Sequence, residues 1–357
     1  MKKLSPMADQ FKYVFLTCTL FFVCVRADSL EIGNPEWGSE CVGTLALELP
    51  RGSEVASVSA ARILAQLRGQ PGKSKFRFAD GEPAGWSSLR YYGEIFITDR
   101  LNSSEVSAIR DQFSKSKIDY SKYIKRAPIQ SGQTIRVVDV FPPRKDAIGW
   151  SVDDDARLFL EVDSHVLTMN VPKDLARSYS TSIKSRPIFS VAGDSELCIP
   201  YAAVPLTASR ERDIMVTYRL TSHPDVTVMI GDANAVEYSD PIRERNAESP
   251  MVIANFWAQY EMGKKIEQLL KPAFSKILID RREGLESFVK IKRDDAGEDY
   301  GYFATVRGEY GVRPEKATVQ VYVLRNAEHA QSLGKTPLEK AEFLRLARSI
   351  VSSIRAR

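Results

Sequence analysis

Polar and apolar residues alternate with a period of two along much of the chain, which predicts strands. Thr44, Ala46 and Glu48 alternate with Leu45, Leu47 and Leu49 ahead of Pro50. Strands are also predicted over 90–98 and 157–162, and then over 214–220, 226–230, 288–292, 302–307 and 319–324. Helical periodicity is rarer. It runs from Val58 to Arg68, and again through Ile109 and Phe113 behind the capping sequence Asn102-Ser103-Ser104-Glu105. A longer helix is predicted over roughly 253–270, where Phe256, Tyr260, Ile266 and Leu269 are apolar and Gly263 interrupts. Phe343, Leu346, Ala347, Ile350, Val351 and Ile354 predict another, opened by Thr336-Pro337-Leu338-Glu339 with proline in the first turn. Many strands with helices set between them indicate an α+β fold with mainly antiparallel sheets.

One pattern occurs twice. Residues 175–186 read LARSYSTSIKSR and residues 346–357 read LARSIVSSIRAR, identical at seven of twelve positions. Each copy reads as the closing helix of a unit, and Pro187 discourages continuation past the first. The heads of the two units are also alike: Glu40-Cys41-Val42-Gly43 precedes the first strand, and Glu196-Leu197-Cys198-Ile199-Pro200 stands at the second. With 357 residues, the chain exceeds the ~250–300 at which a single core stops growing. The expectation is two related α+β domains from an internal duplication, 28–186 and 187–357, behind a leader of residues 1–27.

The leader follows from Lys2, Lys3 and Lys12, the apolar run Tyr13–Val25, and the small-x-small site Val25-Arg26-Ala27. That order is the layout of a secretory signal peptide, and its apolar run is short for a membrane span. Neither Cys18 nor Cys24 has the preceding residues that lipid attachment requires. The expected destination is the periplasm. Removal of residues 1–27 lowers the net charge from +4 to +1, which lacks the footprint of a nucleic-acid binder. It leaves Cys41 and Cys198, a pair that an oxidising compartment favours joining as a disulfide.

Catalytic chemistry has little support in the sequence. The three histidines, His165, His223 and His329, have no second histidine at zinc-ligand spacing. His165 and His223 both fall in expected turns, the latter within Ser222-His223-Pro224-Asp225. Gly193-Asp194-Ser195-Glu196-Leu197 lacks the closing glycine of a nucleophile elbow. Gly69-Gln70-Pro71-Gly72-Lys73-Ser74 ends like a phosphate loop, but Leu67 stands where its first glycine belongs, and the segment follows a helix. Gly69 therefore reads as a helix stop. No cofactor or metal is expected.

Exposed loops carry binding residues on rigid scaffolds. Two acidic hairpin tips qualify, Asp153-Asp154-Asp155 and the group Asp294, Asp295, Glu298 and Asp299. Loop-placed aromatic and arginine anchors are Trp86, Trp150, Tyr300, Tyr310 and Arg313, residue types that dominate interface energetics. These are candidate partner contacts; the competing reading places each within its own domain.

The Cys41-Val42-Gly43 start, the Leu-rich strand ending at Pro50, Leu197-Cys198-Ile199, and the stretch Thr217–Val228 around His223-Pro224-Asp225 together resemble a known family. It is the periplasmic immunity proteins that protect bacteria against phospholipase effectors of the type VI secretion system. The chain departs from that pattern at Thr44, where an arginine is expected, and between the halves. The resemblance implies a two-domain, non-enzymatic inhibitor that binds a cognate secreted lipase and blocks access to its active site. Two other classes remain: an envelope assembly or scaffold protein, and a periplasmic hydrolase using His223 with Asp225.

Overall fold

The computed structural model describes residues 36–70, 76–126, 137–140, 145–207, 212–234, 253–258, 265–295, 297–310 and 316–357. The expected leader (1–27), Arg313 and the middle of the expected 253–270 helix lie outside these residues. The fold is α+β, and its named strand pairs are all antiparallel.

One sheet has five strands, drawn from residues 95–172. Its order is β5 (Ile95–Ile97), β9 (His165–Pro172), β8 (Asp155–Val162), β7 (Ala147–Val152), β6 (Val137–Asp139). Helix α2 (Ser103–Arg126) lies across it and buries Phe113 against Trp150 and Phe159. The capping box at its start is present. Asn102 Oδ1 accepts from the amides of Ser104 and Glu105, and Glu105 Oε2 accepts from the amide of Asn102. Helix α1 (Ala60–Leu67) packs beside α2 and stops at Gly69, whose φ is +68°.

The larger sheet has nine strands among the described residues. Its main path is β15 (Ile266–Gln268), β17 (Arg282–Lys292), β18 (Glu298–Val306), β19 (Thr318–Arg325), β14 (Val226–Ala233), β13 (Arg212–Arg219), β3 (Glu54–Val55). Strand β16 (Ser275–Ile279) adds to β17, and β4 (Ser88–Tyr91) adds to β13. Strands from before Arg186 thus complete a sheet made mostly after it, and Glu36–Arg357 pack as one compact unit. Helix α6 (Lys340–Ser353) covers one face through Phe343, Ala347, Ile350 and Val351. A helical turn at 253–258, α4, puts Ile253, Phe256 and Trp257 on a second apolar cluster with Met229, Phe303 and Tyr322.

Two small three-stranded sheets complete the fold. One is β1 (Trp37–Val42), β2 (Leu45–Pro50), β20 (Arg355–Ala356); the other is β11 (Glu196–Ile199), β12 (Ala202–Pro205), β10 (Lys184–Ser185). Strand β10 follows α3 (Ala176–Ser182) as β20 follows α6. The repeated segments are therefore each a helix end plus a two-residue strand.

Local sequence misleads at four places. The stretch 90–98 is not one strand, because Tyr92 takes a φ of 61° and the Tyr91 amide donates to the Gly93 carbonyl. Residues 266–268 are a strand rather than helix, since pairing with 289–291 on β17 outweighs their helical spacing. Helix α6 starts at Lys340, three residues after Pro337, because the Leu338 amide is taken by buried Asp225 and its carbonyl by Arg325. His165 is not in the turn, which is Asp163–Ser164 with two positive φ values. It opens β9, buried and stacked on Tyr201 at 3.8 Å.

Candidate functional site

The strongest local constellation is a clasp between the two small sheets. Cys41 and Cys198 are joined as a disulfide, with Cα atoms 5.7 Å apart. Beside it the Gly43 amide donates to the Cys198 carbonyl at 2.8 Å, and the Cys198 amide returns the bond at 2.9 Å. Gly43 sits at a φ of +58°, and a Cβ there would strike the Asp232 carboxylate. That carboxylate accepts from the Thr44 amide and hydroxyl at 2.5 and 2.9 Å and from Arg212 at 2.9 Å. The small hairpin is thus bolted to β14 of the large sheet.

An ion pair lies under the disulfide. Arg186 Nη1 meets Glu40 Oε1 at 2.5 Å, and the pair is 3% and 0% exposed by side chain. Arg186 also donates to the Ser190 and Ile199 carbonyls, and Glu40 accepts from the Cys41 and Phe189 amides. Two desolvated charges are tolerable only with such extra partners. Arg357, at the matching place in the repeat, donates to the carbonyls of Gly43, Ala192, Gly193 and Glu196. Burial lowers its pKa, with Asp194 among the charges that oppose the shift.

The acidic tips differ from each other. Asp153, Asp154 and Asp155 are exposed at the β7–β8 turn. In the second tip Lys265 pairs with Asp294, Arg293 bridges Asp295 and Asp299, and Lys290 holds Glu298. Asp299 is buried and caps α5 (Ala327–Ser332) by accepting from the Ala327 amide at 2.7 Å; burial raises its pKa against those hydrogen bonds. Asp295 is held below the ordinary carboxylate range by the Gly297 amide and then by Arg293.

Of the aromatic anchors, Trp150 is 3% exposed and lies between Phe113 and Tyr120. Tyr300 is half-buried beneath the Arg325 guanidinium. Tyr310 is 55% exposed and Trp86 37%, the latter against Phe256. The structure brings Cys41 and Cys198 together; the two acidic tips belong to different sheets, 153–155 to the five-stranded one and 294–299 to the nine-stranded one. Asp225 spends its carboxylate on the Leu338 amide, and His223 sits in a turn closed by its own backbone. Among the described residues there is no cluster fit to hold a metal.

Residues 194–357 match the family described as Tle cognate immunity protein 4 C-terminal domain. That match spans 164 of the 357 residues. No curated protein sequence matches the chain. The fold is that of solved immunity proteins. The immunity protein TplEi of the type VI secretion system from Pseudomonas aeruginosa, complexed with "L" peptide, aligns with a TM-score of 0.53 at 15% identity, over 91% of this chain and 99% of that one. Its apo structure gives 0.53 at 15% identity over 90% and 97%. A chain of the Tle4–Tli4 complex gives 0.54 at 16% identity over 91% and 99%.

The Tle cognate immunity region opens just before β11, close behind the expected division at Arg186. It holds Cys198, Asp232, the paired acidic tip, Tyr300, Tyr310, Arg313 and the closing helix α6. The exposed tip 153–155, Trp150 and the Glu40–Cys41 half of the clasp lie ahead of it. Sequence reasoning missed Glu40, Arg186, Asp232 and Arg357. One signal was available: the final arginine is identical in both copies of the repeat, whereas the position two residues before it varies between Lys184 and Arg355.

Proposed function

We propose that this protein is an immunity protein which binds a cognate type VI secretion lipase effector and inhibits it, protecting the cell that makes both. The observation that carries this reading is the Tle cognate immunity protein 4 match over residues 194–357. The shared fold along about nine-tenths of the chain with immunity proteins, one of them from a complex with its effector, supports it. The mode of action is occlusion: a preorganised scaffold covers the approach to the lipase active site without chemistry of its own. Preorganisation lowers the ordering cost of binding, and the clasp of disulfide and buried ion pair supplies it here.

The site of action is the periplasm. The leader composition of residues 1–27 supports this, as does a disulfide, which persists in oxidising compartments. Among the described residues no helix is long and apolar enough to cross a membrane. We also take the chain as two related halves meeting after Arg186, on the ground that both small sheets use one register.

The test is capture of partners by tagged protein from Asp28 onward, with a phospholipase assay of the eluate. A lipase recovered in stoichiometric amount and silenced by added protein is the expected result. Recovery of a resident envelope protein and no lipase overturns the proposal.

A further inference from the structure

A cavity of about 600 Å³ opens between the end of α1, helix α2 and the face of the β5–β9–β8 strands. That is within the ~300–1,000 Å³ typical of ligand sites. Phe96 from the sheet and Phe113 from α2 give it an apolar floor. Around that floor stand Glu94, Asp119, Arg157 and Asn170. Arg157 and Asn170 are register partners on neighbouring strands. All four side chains are exposed, and none has a hydrogen bond or ion pair among the described residues.

Arg157 is held in place without a carboxylate. Its guanidinium lies 5.0 Å from the Trp150 ring and 5.8 Å from the Tyr120 ring. Stacking fixes the plane and leaves the N–H edge free, which suits a planar, two-pronged acceptor. The contrast with nearby cations is clear: Arg110 is paired with Glu161 and Lys117 with Asp139. Buried Trp150 and half-buried Tyr120 thereby acquire a role, as the platform for this arginine.

The charges around the cavity select the ligand. Arg68 and Arg157 stand on its wall together with Glu94 and Asp119. A ligand of one sign, such as a bare phosphate, meets repulsion from half of these groups. A segment carrying both signs satisfies them all, and the Asn170 amide offers a donor and an acceptor to a peptide backbone.

We propose that this cavity receives an extended, mixed-charge loop of the lipase partner, with an acidic side chain of that loop seated on Arg157. This rests on the immunity reading above and names the contact that reading leaves open. The experiment measures affinity of the captured lipase for wild-type protein, Arg157→Glu, Arg157→Lys, Asp119→Lys and Gln331→Ala. The Asp119 site is exposed on a helix, so its substitution does not endanger folding. Arg157→Glu and Asp119→Lys should each weaken binding at least tenfold. Arg157→Lys, which keeps the charge but loses the stacked fork, should fall between them and wild type, and Gln331→Ala, at an exposed position on α5, should stay within twofold. A photo-crosslinking residue in place of Asn170 should capture one lipase segment containing both an acidic and a basic residue. If wild type binds lipase and both charge reversals stay within twofold of it, the cavity proposal is overturned while the immunity reading stands. If wild type binds no lipase, the reading itself fails and takes the proposal with it.

Discussion

The backbone amides of Arg186 and Arg357 make the same bond in two places. The first donates to the Tyr201 carbonyl and the second to the Thr44 carbonyl, each at 3.0 Å. The register around them is shared as well. Cys41 pairs with Ala46 and Arg355 with Ala46; Cys198 pairs with Ala203 and Lys184 with Ala203. The short repeat in the sequence therefore marks two strands with one job, each closing a cysteine-bearing hairpin. The side chains have diverged: Arg186 takes the Glu40 carboxylate, while Arg357 spans four carbonyls.

Removing one partner of the buried pair should be costly. Glu40→Ala leaves the Arg186 charge desolvated and uncompensated, for which about 3–5 kcal/mol is expected. Urea unfolding of the single mutant, and of Glu40→Ala with Arg186→Leu, measures it. The double mutant should recover part of the loss; an equal or greater loss would show that the carbonyl bonds of Arg186 matter more than its charge pair.

The disulfide constrains residues 157 apart in sequence, so its removal should release much denatured-chain entropy. The chain-entropy model sets the loss at up to about 5 kcal/mol. Cys41→Ser with Cys198→Ser should lower the denaturation midpoint accordingly and also weaken lipase affinity, because the hairpins lose their tie. Unchanged affinity would separate the clasp from binding.

Gly43→Ala and Gly69→Ala make a matched test of left-handed glycines. At Gly69 nothing lies within 4 Å of an added Cβ, so only the backbone penalty of about 1–2 kcal/mol applies. At Gly43 the Asp232 carboxylate must also move, which breaks its bonds to Thr44. Thermal melts should rank Gly43→Ala as the less stable protein, and the reverse order would contradict the described packing.

Acid should weaken the second small sheet at Glu196. The hydrogen bond from Lys184 is the main cause that lowers its pKa, and burial opposes it. A carboxyl with a depressed folded-state pKa contributes stability above its unfolded value of about 4.5. That contribution is lost as pH falls from there through the folded value. Stability measured from pH 7 to pH 3 should drop less steeply in Glu196→Gln than in wild type over the low end of that range.

Charge at the exposed tip should affect encounter rather than folding. Asp154→Lys with Asp155→Lys lies away from the core at exposed positions without a positive φ and should change stability by less than about 0.5 kcal/mol. If this tip faces the lipase, the on-rate changes and its salt dependence shifts. Stopped-flow association at two salt concentrations reads both.

The strands of the large sheet were legible because their side chains face two environments and alternate accordingly. Strands β13, β14 and β19 lie close to where period two placed them. The capping box at Asn102 was legible because all its partners are within three residues. Residues 266–268 were not, since a strand partner more than twenty residues away decides their conformation. Trp150 reads as a loop anchor beside three aspartates, yet its strand turns it inward under α2. The paired acidic tip shows the same limit: Arg293 and Lys265 neutralise it through turns that spacing alone does not reveal. The chemistry around Glu40 and Arg186 depends on contacts across nearly half of the chain.

The twin sheets also differ in when they can form. The β11–β12–β10 sheet draws on residues 184–205 and closes locally. The β1–β2 hairpin must wait for residues 355–356, since Leu45 pairs with Ala356. Non-local closure is slow, and an unpaired strand edge is exposed to aggregation until it happens. A chain threaded through a membrane from its amino-terminal side would deliver the waiting hairpin first and its missing strand last. Two sheets of one register would then mark the opening and the final step of folding.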